Sequence, residues 1–222
     1  MRPNAASRKA QEAHNAWTAI TGSGLRGGVR LSGKTTREQI VAAADELFYH
    51  RGFEQTSFAS IAEVVQLSRG NFYHHFKAKD DLLDAVIATR LTETRAMLAQ
   101  WESQTPDPAG RIRRFIDILL VNRADIQHYG CPVGTLTSEL AKLHHTALDA
   151  ASGLFTLFRE WLAEQFTQLG HRDDADELAM HVLAASQGVA TLANAFHDEQ
   201  FLCREVQRLH DWLDTHLDDS RK

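Results

Sequence analysis

The chain has 222 residues, with 43% apolar and 24% charged residues, enough for one large domain or two small ones and far from disordered or fibrous compositions. No apolar run approaches the roughly 18 residues of a membrane span, and no charged-then-apolar leader follows Met1, so a cytoplasmic protein without a membrane partner is expected. Two cysteines, Cys131 and Cys203, are too few for a disulfide framework and point to a reducing compartment. The net charge of −5 is unevenly spread: residues 1–34 carry +5, residues 35–90 carry −2 and residues 91–222 carry −8. A basic head on an acidic body suits a polyanion bound at one end; the alternative is a solvated tail with incidental charge.

Residues 1–34 hold five of the thirteen glycines and no sustained apolar period, and read as a basic N-terminal arm. From Thr35 onward the pattern is helical, without alternating β-branched runs or Asn-Gly hairpin turns. Ile40, Ala43, Ala44, Leu47 and Phe48 form one stripe of a helix over 36–50, which Arg51-Gly52 stops. A short helix over 57–65 follows, capped by Ser57 or Thr56 and buried through Ile61, Ala62 and Val65. Ser68 caps another over 69–76, with Phe72 and Phe76 at i and i+4. Lys79-Asp80-Asp81 opens a long helix to about residue 100. Beyond Pro106 and Pro108, helices are expected over 109–127, 132–144, 146–169, 174–196 and 199–217.

Two short helices behind a longer one make a helix-turn-helix, whose second helix is shaped for the major groove. Its exposed face offers Arg69, Asn71, Tyr73, His74 and His75 as hydrogen-bond donors, Gly70 allows close approach, and Lys77 and Lys79 follow where phosphates would pass. Phe72 and Phe76 read as core anchors. Adjacent His74 and His75 point about 100° apart on a helix, a poor chelate, so no metal or cofactor is expected.

The stretch 36–86, with RGF and TS leading into the first short helix and LSRGNFYHHFKAKDDLL spanning the second, resembles the N-terminal domain of TetR/AcrR-family transcriptional regulators. The resemblance implies an all-α fold: a three-helix helix-turn-helix domain followed by a C-terminal helical domain for ligand binding and dimerisation. It also implies a homodimeric repressor that leaves a palindromic operator when a small molecule binds. By position, Arg69, Gly70, Asn71 and His74 fall where such proteins meet base edges. Ser57, Tyr73, His75 and Lys79 fall where they meet the phosphate backbone. Arginine can fork onto guanine and asparagine onto adenine. Because the DNA-binding stretch is itself slightly acidic, Arg26, Arg30 and Lys34 of the arm are expected to reach the duplex, the alternative being an arm without a role. The divisions are 1–34 for the arm, 35–82 for DNA binding, 83–217 for ligand binding and dimerisation, and 218–222 for a polar tail.

In the C-terminal part, Phe115, Leu119, Leu136 and Phe155 can wall a pocket, with Asn122, Gln187 and Asn194 available to orient a ligand; plain core packing is the alternative for each aromatic. Cys131 precedes a helix start, where unpaired amides favour a thiolate, so it is a candidate contact for an electrophilic inducer or else a small residue at a tight turn. The Gly130-Cys131-Pro132 sequence also resembles one branch of the family. Leu178, Val182, Ala185, Val189, Leu192 and Phe196, with Val206, Leu209, Leu213 and Leu217, are stripes for a four-helix dimer seam, unless they build the subunit's own core. Two other classes compete: an all-α enzyme using His144 and His145 with Glu139 or Asp149, and an architectural DNA-binding protein without ligand control. No nucleophile elbow, phosphate loop or HExxH pattern supports the enzyme.

Overall fold

A computed structural model describes residues 35–219, which form ten helices and, among the described residues, no strand. Helix α1 (Thr36–Arg51) starts in a reciprocal cap: the Glu38 amide donates to Thr35 Oγ1 at 3.3 Å and the Thr35 amide to Glu38 Oε2 at 2.7 Å. It ends at Gly52, whose φ of 90° suits glycine. Helices α2 (Phe58–Val64) and α3 (Arg69–His75) are capped by Ser57 and Ser68. Gln66 turns the chain between them with a left-handed φ of 55°. Helix α4 (Lys79–Gln104) then runs from the first domain into the second.

The region expected as one helix over 109–127 is two, α5 (Pro108–Val121) and α6 (Arg123–Tyr129). The break is at Asn122, with φ −107° and ψ 14°, whose side-chain Nδ2 donates to the Ile118 carbonyl at 2.7 Å. A side chain bonding the carbonyl four residues back competes with regular helix and bends it. After Gly130 come α7 (Pro132–Lys142), α8 (Leu148–Gln168), α9 (Ala175–Phe196) and α10 (Glu199–Asp219).

Two apolar clusters result. One joins α1, α2, α3 and the start of α4, and takes in Leu136 and Leu140 of α7 with Ala147 and Ala151. The other joins the rest of α4 to α5, α6, α8, α9 and α10. Helix α7 serves both, since Val133 belongs to the second cluster. No helix among the described residues is long and apolar enough to cross a membrane.

Candidate functional site

Helix α3 is held from beneath. Phe72 is 1% exposed, and its ring lies 4.8 Å from that of Phe58. Phe76 is buried under the Arg37 guanidinium, 4.8 Å above the ring. The opposite face is open: Arg69, Gly70, Asn71, Tyr73 and His74 are exposed and His75 is half-buried. Tyr73 packs edge-on against Phe58 at 5.5 Å, which seats it beside the N-terminus of α2. There Ser57 is exposed while its Oγ accepts from the Ser60 amide at 3.1 Å. A Cβ built on Gly70 would meet nothing within 4 Å, so nothing among the described residues requires glycine there.

Lys79, expected at the phosphate backbone, is also bonded within the chain. Its Nζ donates to the carbonyls of Phe53, Glu54 and Thr56 at 3.0, 3.2 and 3.2 Å and lies 4.4 Å from the centre of the Phe53 ring. These three bonds tie α4 to the loop before α2 through the half-buried Lys79. The arm residues Arg26, Arg30 and Lys34 lie outside the described residues.

Charged groups that sequence reasoning passed over join the two parts. Arg90 of α4 and Asp45 of α1 are fully buried; Arg90 Nε donates to Asp45 Oδ1 at 2.7 Å and Nη1 to the Pro132 carbonyl at 2.9 Å. Burial pushes the Asp45 carboxyl above the ordinary carboxylate value, against the opposing pull of Arg90. The signal was present: Arg90 falls in phase with Val86, Ile87, Thr94 and Met97 on the buried stripe of α4. Glu139, considered earlier only as an enzyme residue, accepts from the Phe53 and Glu54 amides at 2.8 and 2.9 Å across the seam.

A cavity of about 480 Å³, including its mouth, opens in the second domain. Five of the expected ligand residues line it: Phe115 and Leu119 of α5, Cys131, Phe155 of α8 and Gln187 of α9. Phe158, Leu183 and Ala190 complete much of the wall, and Phe115 and Phe158 meet edge-to-face at 5.3 Å. Among the described residues, no charged side chain contributes. Gln187 reaches over the first turn of α7, its Oε1 standing 2.7 Å from where a Cβ on Gly134 would be. Asn122 is not in the wall, because its amide is turned onto its own helix. Leu136 is also absent, because α7 presents it to the cluster of α1, α2, α3 and the start of α4. Asn194 is tied by Nδ2 to the Gln127 carbonyl at 2.9 Å.

The stripes assigned to a dimer seam serve mainly the subunit's own core: Leu178, Val182, Val189, Val206, Leu209 and Leu213 are buried within it, and Ala185 and Leu217 pack against it. Leu192 and Phe196 of the same stripe are exposed, Phe196 at 70%, and share the surface of α9 with Met180, Ala184 and Gly188. A Cβ on Gly188 would meet nothing within 4 Å.

Residues 40–86 match the family model of the bacterial regulatory proteins of the tetR family, and residues 108–208 match that of the C-terminal domain of LmrA/YxaF-like transcriptional regulators. The chain is 31% identical over 195 residues to the HTH-type transcriptional regulator TtgR of Pseudomonas putida, covering 82% of this chain and 90% of that one. A TetR transcriptional regulator from Legionella pneumophila superposes with a TM-score of 0.72 at 25% identity, over 82% of this chain and 97% of the other. SCO4454 of Streptomyces coelicolor shares the fold, with a TM-score of 0.68 at 20% identity over 84% and 96% of the two chains.

Proposed function

The chain belongs to the TetR family of bacterial transcriptional regulators, and from that premise we propose how its residues divide the work. Residues 35–82 read DNA and residues 83–217 bind a ligand and dimerise, the boundary falling inside α4 so that one helix belongs to both. In the dimer, two copies of α3 enter successive major grooves of a palindromic operator, and ligand binding releases it. Arg69, Asn71 and His74 meet base edges around Gly70, while Ser57, Tyr73 and His75 meet phosphates. The arm of residues 1–34 adds phosphate contacts, and the protein acts in the cytoplasm with the chromosome.

The observation that carries the reading is the contrast between the two faces of α3. One is locked by Phe72, and the other bears a row of exposed donors around a glycine without an internal role. The cavity's chemistry supports an inducer that is neutral and largely apolar, since a charged ligand would lose its hydration there without a counter-charge. Gln187 supplies the hydrogen bond that orients it, and Cys131 stands at the wall for an electrophile. The outward stripe Met180, Ala184, Gly188 and Leu192 forms the centre of the dimer seam.

The test is selection of bound duplexes from a random library by the purified full chain. One inverted repeat should emerge, and Asn71→Ala should relax sequence preference by about 1–3 kcal/mol at one position per half-site. Recovery of no sequence above background at moderate salt would defeat the proposal. Recovery of a repeat that no neutral aromatic compound displaces would leave an architectural protein instead.

A further inference from the structure

The turn that closes the cavity is also where the DNA-binding domain grips the body. Cys131 and Pro132 face the cavity. On the same turn, the Tyr49 hydroxyl of α1 donates to the Gly130 carbonyl at 2.8 Å, a buried bond between residues 81 apart in sequence. The Tyr129 ring meets Tyr49 edge-on at 5.5 Å and His50 at 4.2 Å. The Pro132 carbonyl accepts from Arg90, whose guanidinium also holds Asp45 of α1. Gly130 has φ 78°, and a Cβ there would stand 2.9 Å from Thr135 Cγ2, so the turn has little freedom to deform internally. A body pressing on Cys131 or Pro132 therefore moves the turn as a piece and pulls on the groups bonded behind it.

We infer that Tyr49 is a positioning residue for the ligand response: its hydroxyl binds the cavity turn to α1, so displacement of the turn is passed to the DNA-binding domain. The inference rests on the functional reading above. Arg90 is less suited to this role, because it holds α1 to α4 through a buried ion pair on which the fold itself depends. The Tyr49 bond to Gly130 is neutral, and a phenylalanine keeps the ring contacts with Tyr129 and His50. Loss of that bond should leave DNA affinity and packing in place while uncoupling the two sites.

The test needs no knowledge of the natural ligand. Cys203→Ser leaves Cys131 as the sole thiol, and benzyl methanethiosulfonate transfers a benzylthio group to it at the cavity wall, with methanesulfinate leaving, to form a mixed disulfide that dithiothreitol reduces. Binding to the selected duplex is measured by fluorescence anisotropy, with mass spectrometry confirming one adduct. The adduct should weaken binding by about tenfold in the Cys203→Ser chain and by less than roughly threefold when Tyr49→Phe is added, the two unmodified proteins agreeing within about twofold. Equal weakening in both backgrounds would overturn the role of Tyr49. No weakening in either, or a Cys131 that stays unlabelled, would overturn the turn as the link. Failure of the unmodified protein to bind any duplex would count against the functional reading instead.

Discussion

Gly70→Ala separates the requirements of the fold from those of DNA more cleanly than any other single change. Gly70 is the second residue of α3, exposed, with open space where a Cβ would stand. Alanine exceeds glycine in a helix interior by about 0.8–1.0 kcal/mol, and in a first turn about half of that remains. The substitution should therefore stabilise the chain by about 0.5 kcal/mol, a rise in Tm of about 1–2 °C for a protein of this size. Binding should move the opposite way. If a base edge or sugar packs against the bare Cα, the methyl group overfills that contact at about 1–3 kcal/mol, which is about 5- to 150-fold in Kd. Thermal unfolding and anisotropy titration at one fixed salt concentration read the two effects on the same preparation. Unchanged affinity in the more stable variant would show that α3 does not approach DNA through Gly70, and the proposed docking would be wrong. Lower stability would refute the open space itself.

Three further outcomes follow from the geometry. Lys79→Met should cost about 1.5–3 kcal/mol in urea unfolding, the range for hydrogen bonds from a charged donor, yet leave the salt slope of DNA binding unchanged; a slope smaller by about one would restore the phosphate contact. Gly188→Ala should stabilise α9 by up to about 1 kcal/mol, whereas Gly188→Leu should weaken the dimer by about tenfold or more in sedimentation with its helical circular dichroism intact; a dimer unaffected by leucine would place the seam elsewhere. The third concerns Asp45, whose carboxyl is raised by burial. A raised folded-state value means that folding takes up a proton, so its stabilising contribution is full below the ordinary carboxylate range and lost as pH climbs through the raised value. The advantage of the unaltered chain over Asp45→Asn in urea unfolding should thus shrink with rising pH, and an advantage that grows would mean that Arg90 outweighs burial.

What the sequence revealed follows from which physical signals are local. Ser57 and Ser68 announce helix starts because a cap is a contact between residues three apart, and Gly52 stops α1 because only its own φ is involved. Asn122 has a residue type that suits a pocket and a helix bend equally, and its bond to Ile118 serves the bend. Leu136 has the right character for a cavity wall, but one helix served two cores and periodicity does not say which face meets which. The same ambiguity placed Val182 and Leu213 in a seam between subunits when the subunit needed them itself. Arg90 was visible as a charge in phase with apolar neighbours, whereas its partner Asp45 lies 45 residues away and no spacing rule reaches that far.

The glycines carry the last step. Gly52 and Gly130 have backbone angles that demand glycine, and side chains at Gly110 and Gly134 would strike Thr105 and Gln187. The chain's own geometry accounts for each of these. Gly70 and Gly188 are different: each lies within a helix, each is exposed, and a Cβ on either would meet nothing within 4 Å among the described residues. Glycine in such a place lowers stability relative to alanine and returns nothing to the fold. We propose that its use lies in contacts outside the described residues, and the two positions fall on the two surfaces where the functional reading brings in another molecule: DNA at α3 and a second subunit at α9. These are also the surfaces with exposed residues of matching chemistry, hydrogen-bond donors around Gly70 and apolar side chains around Gly188. A glycine that the fold does not require is thus a marker of an outside partner, and it can be tested by substitutions that improve the subunit and impair the assembly.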